Sequence, residues 1–348
     1  MTAPGIRGWH AIAGSMAVFL LCGCAPDGGR VVVVDGSSSL YPLAEAVSEA
    51  FAREHPAARI VIRISGSGGG LRRFCEDEAD IATASRLMTA AEMARCRGKG
   101  RRFLALPVAR DGVAMVVHPA NEAVACLTLA ELGRIWGPDA AVTTWRDLRP
   151  ALPAEKVRLF GPGIDSGTFR FFTRVVVGRP GASRTDYYRT EDDHLIVRGV
   201  AGDLWSLGYF GSAHHAAHAD RLRMLAVDTG FGCVLPTPAA IRDGRYSPLS
   251  RDLYLYVKRA LLADRDVFDF IEHFVSASEL LARETGYAPL PAAEYSRSRA
   301  LLSEARSDAL GQSAGDPGDP RALAGRGQNP PGIRTATHPG RVPRRDPS

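Results

Sequence analysis

The chain has 348 residues, 45% hydrophobic, 7% aromatic and 23% charged, enough apolar material for one large core or two smaller ones, which excludes a wholly disordered or fibrous protein. Its net charge of +5 belongs to the two ends: residues 25–296 are neutral overall, and residues 297–348 hold nine Arg against five acids. A neutral centre lacks the basic face that displaces counterions from phosphates, so nucleic acid is not an expected partner.

Residues 1–24 begin with a short segment bearing Arg7 and His10, continue as an apolar run over 11–21, and end in Leu21-Cys22-Gly23-Cys24. The run is too short to span a bilayer, and small residues ahead of a cysteine predict a lipoprotein signal peptide with Cys24 as the lipidated, palmitate-bearing first residue. In an ordinary secretory signal Cys24 would be incidental. Both readings export the chain, and the first anchors it through lipid to the periplasmic or cell-surface face of a membrane.

From residue 31 the pattern alternates β-branched runs with helical spacing, an α/β signature. A buried strand over 31–34 ends in Gly36-Ser37-Ser38-Ser39, and a helix follows from about 42 with Leu43, Ala46, Val47, Ala50 and Phe51 on one face. A second strand over 60–64 ends in Ser65-Gly66-Ser67-Gly68-Gly69-Gly70, with a helix opening at Leu71. A third over 80–84 runs into Ser85-Arg86, a fourth covers 113–117, and Leu159-Phe160 leads through Gly161-Pro162-Gly163-Ile164-Asp165-Ser166-Gly167-Thr168 into a helix carrying Phe169, Phe171 and Phe172. Three times a strand stops in a Ser/Gly loop that starts a helix. The first backbone N–H groups of a helix lack internal partners and favour an anion, small side chains let backbone approach a ligand, and hydroxyls add donors. Any one such loop reads equally well as a helix cap, and neither a phosphate-loop lysine nor a dinucleotide fingerprint is present.

Beyond about 296 the composition shifts to Gly, Pro, Arg and Ser, which predicts a disordered basic tail over 297–348. With Cys22 removed and Cys24 lipidated, Cys75, Cys96, Cys126 and Cys233 remain, and an oxidising compartment favours two disulfides among three connectivities. His214, His215 and His218 form a cluster with no acidic or cysteine partner nearby in sequence, which reads as surface or packing. Trp136, Trp145 and Trp205 read as core or cleft wall. A catalytic reading would make Ser166 a nucleophile with Asp165 and either His194 or His214, but the Gly-x-Ser-x-Gly elbow is absent there, so no enzyme is expected.

Taken together, Gly36-Ser-Ser-Ser-Leu-Tyr-Pro42, Ser65-Gly-Ser-Gly-Gly-Gly70, Ala79-Asp-Ile-Ala-Thr-Ala-Ser-Arg86, Gly161-Pro-Gly-Ile-Asp-Ser-Gly-Thr-Phe169 and Leu207-Gly-Tyr-Phe-Gly211 resemble the phosphate-binding proteins of the high-affinity phosphate ABC transporter, in order over about 31–292. The resemblance implies the two-lobed periplasmic-binding-protein fold of type II with the ligand in the cleft: lobe one over 31–120 and 248–296, lobe two over 121–247. It favours the pairs Cys75–Cys96 and Cys126–Cys233, each within one lobe. It implies inorganic phosphate as ligand, permease subunits as partner, a monomer and no cofactor or metal. Ser39 and the Leu40 N–H would contact phosphate from the first loop, Ser67 from the second, and Ser166, Gly167 and Thr168 from the opposite lobe. Arg86 would supply a bidentate clamp, with Ser85 beside it. Relatives often carry Asp where this chain has Arg86, which leaves Asp165 as the nearby acid to accept a phosphate proton. The same fold also suits a cell-surface phosphate sensor or adhesin, or a binder of sulfate, molybdate or arsenate.

Overall fold

A computed structural model describes residues 30–230 and 232–314. The expected signal peptide with Cys24, and the tail beyond 314, lie outside the described residues. Four consecutive valines suit a strand buried between neighbours, and β1 (Val31–Gly36) pairs in parallel with both β2 (Arg59–Ile64) and β3 (Ile81–Ala84). Between and after these strands run α1 (Tyr41–Glu54), with proline in its first turn, α2 (Gly66–Cys75), and α3 (Ala90–Gly98), which opens with a capping box between Thr89 and Glu92. The long strand β4 (Phe103–Val117) follows.

The chain then builds β5 (Cys126–Thr128), α4 (Leu129–Trp136), α5 (Trp145–Leu148), β6 (Arg158–Pro162), α6 (Gly167–Val176), β7 (Tyr188–Thr190), α7 (Asp193–Ala201) and β8 (Ser206–Gly211). After α8 (Ser212–Ala216), β9 (Arg223–Asp228), β10 (Cys233–Val234) and α9 (Pro238–Arg242), it returns to the first half through β11 (Ser250–Lys258), α10 (Arg265–Glu284) and α11 (Ala292–Ala314). The strand order is β2-β1-β3-β11-β4-β8-β6-β7, with β9 between β4, β5 and β10.

The two halves meet in β4. Its residues from Phe103 to Gly112 pair antiparallel with β11, whereas Val113 to Val117 pair with β8 and the last three also with β9. Two main apolar clusters follow that division. Val34, Leu43, Phe51, Leu106, Phe270 and Phe274 share one, and Val113, Met115, Trp136, Trp145, Phe172 and Tyr209 share the other. Cys75–Cys96 ties α2 to α3 and Cys126–Cys233 ties β5 to β10, the pairing that the resemblance favoured. Among the described residues no helix is long and apolar enough to cross a membrane.

Three sequence expectations are corrected. Helix α2 starts at Gly66, not Leu71, so the glycine run is helix and not loop. A Cβ at Gly70 would clash with Gly36 and lie 2.6 Å from the Asp35 carbonyl oxygen, so a helix can sit this close to the end of β1 only without side chains. Strand β4 begins ten residues before the expected 113, passing Pro107 beside a bulge between Leu253 and Tyr254 of its partner. Finally, the expected tail over 297–348 is helical as far as Ala314. Leu302, Ala305 and Ala309 of α11 are buried in the first cluster, and the buried Tyr295 hydroxyl donates to the Val108 carbonyl. A composition averaged over fifty residues hid a helix at its start. Replacing Leu302 with alanine is expected to lower stability by about 2–4 kcal/mol in urea denaturation, whereas a disordered tail would leave the midpoint unchanged.

Candidate functional site

The site forms just beyond the ends of β1, β2, β3 and β6. Ser39 is buried after β1, where its carbonyl accepts from the Tyr287 hydroxyl at 2.7 Å. Ser67 lies in the first turn of α2, and its Oγ accepts from the Ser85 N–H at 3.0 Å with the Ser85 hydroxyl at 3.3 Å. Ser166 caps α6, its Oγ accepting from the N–H groups of Thr168 and Phe169, which commits that hydroxyl to structure and not to nucleophilic attack. The three loops converge across the two halves: the Ser39 and Thr168 hydroxyls are 2.7 Å apart, and the Gly68 N–H donates to the Asp165 carbonyl at 2.8 Å. A Cβ on Gly167 would overlap the hydroxyls of both Ser67 and Ser85, so the close approach depends on that glycine.

The structure therefore brings together Ser39, Ser67, Ser85, Ser166, Gly167 and Thr168. It does not bring the remaining expected groups with them. The buried Leu40 N–H donates to the Ser37 carbonyl. The Asp165 carboxylate is half exposed and lies 3.9 Å from Arg72 of α2, so it pairs across the two halves with that surface arginine. Arg86 is turned aside into a bidentate pair with Glu92, both bonds at 2.7 Å, and also donates to its neighbour's carbonyl, at Leu87. Glu92 is the acid of the α3 capping box, so a helix start and an arginine share one carboxylate, and the bonds from Arg86 and Thr89 lower its pKa against the opposing effect of burial.

The cation at the centre is one that the sequence reading passed over. Arg251, in β11, is buried, and its Nη2 donates to Thr168 Oγ1 at 2.7 Å and Ser39 Oγ at 3.2 Å. Its guanidinium lies over the Phe171 ring at 5.0 Å, and its Nε and Nη1 are buried with no partner among the described residues. Burial lowers its pKa to about 10 against the pull of Asp111 and Asp193, so it stays cationic at neutral pH. Asp111 is its cross-strand partner in β4, with Oδ2 at 3.8 Å from Nη2. The other Asp111 oxygen accepts from the Ser212 hydroxyl and the Ala213 N–H, while Oδ2 has no hydrogen-bond partner among the described residues.

Two acids, Asp111 and Asp193, act on this cation, a third, Glu191, sits beside Asp165, and burial is the largest influence on each. Asp111 is pushed up to about 6, and Asp193, bonded by Ser38, to about 7. Glu191, which accepts from the Asp165 N–H, is also pushed up to about 7. A carboxyl that titrates this high can accept a proton from a protonated anion at neutral pH. A cavity of about 460 Å³ lined by Ser85, Arg86, Arg170, Phe171, Arg251 and Tyr254 opens beside the cluster. The arrangement offers hydroxyls, helix-start N–H groups and one desolvated guanidinium to an oxyanion, and a carboxyl acceptor to its proton. A signal for Arg251 exists in the sequence. It occupies the inward phase of an alternation completed by Leu253, Leu255 and Val257, a charge where an apolar residue belongs.

A family model described as a PBP superfamily domain matches residues 24–278. The chain is 39% identical over 286 residues to Protein SphX of Synechocystis, covering 80% of this chain and 85% of that one. It is 30% identical to the Phosphate-binding protein PstS of Staphylococcus saprophyticus, covering 82% and 91%. A crystal structure of a possible phosphate binding protein from Planctomyces limnophilus superposes with a TM-score of 0.56 at 37% identity, covering 81% of this chain and 99% of that one.

An unfolded aspartate titrates near about 3.9, whereas folded Asp111 titrates at about 6, so between those values the native state holds the extra proton. That contribution to stability is complete below the lower value and is lost as pH rises through the upper one. The fall in thermal midpoint between about pH 4.5 and about pH 7.5 is expected to be smaller in Asp111→Asn than in the parent, and equal falls would show that Asp111 titrates normally.

Proposed function

The chain belongs to the PBP superfamily, and on that premise we propose that it is an extracytoplasmic substrate-binding lipoprotein, anchored through Cys24, which captures inorganic phosphate and delivers it as a monomer to an ABC permease. The observation that carries the reading is Arg251, a buried guanidinium with Nε and Nη1 unpartnered where three Ser/Gly loops converge. A permanently charged donor in that position favours an anion, and the hydroxyls of Ser39, Ser67, Ser85 and Thr168 complete a water-free shell around it. Arg251 takes the clamp role assigned to Arg86 by resemblance, because Glu92 already neutralises Arg86. Asp111 takes the proton-accepting role offered to Asp165, whose carboxylate faces Arg72 instead. Phosphate carries a proton at neutral pH and sulfate does not, so a carboxylate at this position repels sulfate and bonds phosphate.

The division into lobes follows β4: residues 31–112 with 250–314 as one and 113–249 as the other, closing on the anion with no chemistry performed on it. Closure presses Gly167 against Ser67 and Ser85.

Calorimetric titration of the full-length protein with phosphate, sulfate and arsenate tests the reading. One phosphate per chain is expected. Binding should weaken about 100-fold or more in Arg251→Ala, in line with the loss of a buried charged donor, and about tenfold in Gly167→Ala; Arg86→Ala should stay within about threefold of the parent. Asp111→Asn should narrow the preference for phosphate over sulfate. No heat with any oxyanion, from protein whose circular dichroism is that of a folded α/β chain, would overturn the ligand assignment.

A further inference from the structure

A second cluster of chemistry-bearing side chains lies on α7 and α8, close in sequence to Asp193 and Ser212. His194 stands in the first turn of α7, His214 in α8, and His218 four residues further on, just past the end of α8. Their rings meet in all three pairings, with centroids 4.6 Å apart for His194 and His214, 5.0 Å for His214 and His218, and 5.5 Å for His194 and His218. One ring nitrogen from each lies within 4.8 Å of the others. His214 is only 5% exposed, and its Nε2, like that of His218, is buried without a partner among the described residues.

Packing does not account for this arrangement. A buried imidazole nitrogen that bonds to nothing is costly, and the neighbouring His215 avoids the cost by placing its Nε2 2.9 Å from the Leu222 carbonyl. His214 and His218 instead leave Nε2 without a hydrogen bond among the described residues, and each has a ring nitrogen within 4.8 Å of the others and of one on His194. Three imidazoles with ring nitrogens this close together form a donor set for a divalent first-row transition metal; calcium and magnesium require oxygen ligands.

We propose that His194, His214 and His218 form a zinc-class metal site, separate from the anion cluster, with His194 as its exposed member and the remaining coordination position facing solvent. The sequence reading set the cluster aside because no acid or cysteine near His214 completes it; the third ligand is His194, supplied by another helix twenty residues upstream. Metal bound here would tie the start of α7 to the end of α8. Both helices also serve the anion cluster, α7 through Asp193 and α8 through the bond from Ser212 to Asp111.

The test uses tag-free full-length protein, stripped with chelator and titrated with Co²⁺, with Zn²⁺ as competitor. One equivalent of Co²⁺ is expected to produce ligand-field bands of a low-coordinate nitrogen site, which Zn²⁺ abolishes. His194→Ala changes an exposed side chain, so its fold is not at risk, and it should weaken Co²⁺ binding at least about tenfold; His214→Ala should remove the bands. Arg251→Ala should leave them unchanged, so this site and the phosphate reading can fail separately. Absence of bands in the parent would overturn the proposal, as would bands of equal intensity and affinity in His194→Ala and His214→Ala.

Discussion

A single guanidinium withdrawn from water organises this molecule. Arg251 has a side chain 4% exposed and is surrounded by hydroxyls, a phenyl ring and a carboxylate that is 3.8 Å away and makes no hydrogen bond to it. Burying a charge with incomplete pairing is expensive, and the surrounding structure has to offset that cost. Asp111 faces it across the strand pair, Asp193 adds a second negative group, and hydroxyls from both halves supply acceptors. The position is possible because β4 and β11 run side by side to the place where β4 leaves one half for the other. A cation there is equally available to the loops of both.

The same geometry explains the raised carboxyls. Each of Asp111, Asp193 and Glu191 is pushed upward chiefly by burial, and the partial compensation comes from Arg251 or from backbone N–H groups. The cluster therefore has a proton inventory that changes near neutrality, unusual for aspartates and glutamates, while the arginine remains charged. Small residues set the remaining tolerance. Gly70 brings α2 against β1, and Gly167 brings α6 against two serine hydroxyls. Hydroxyls positioned by packed backbone lose little freedom when they bond an anion, which is the advantage of building a cradle from serine and glycine over long flexible cations.

What was legible in the sequence was local. A strand that ends in Ser or Gly and hands over to a helix spans about ten residues, so the loops holding Ser39, Ser67, Ser166 and Thr168 were visible in their own neighbourhoods, the α/β architecture followed from the alternation of such units, and the choice of residues within the loops came from the resemblance. What escaped depended on distance in sequence. Asp111 and Arg251 are partners across 140 positions, and nothing local marks either except a charge inside an apolar strand. Arg86 is the opposite case: the partner it pairs with in this structure, Glu92, is six residues away, in a Thr-x-x-Glu capping pattern that was open to reading. The helix over 292–314 was lost to averaging, since its Ala, Leu, Glu and Arg were pooled with the prolines and glycines beyond it.

The sheet order has a kinetic meaning. In the first half, β3 is not a neighbour of β4; β11 lies between them, so a strand from residues 250–258 is inserted into a sheet begun at residue 31. The apolar cluster of that half likewise needs α10 and α11, up to Ala309. A chain emerging from the ribosome therefore cannot complete its first core until nearly all of its described length has been made, and contacts of such long sequence separation close slowly. For a polypeptide that crosses a membrane as an extended thread before it folds, a topology that postpones its own completion keeps the thread passable until the last strand arrives.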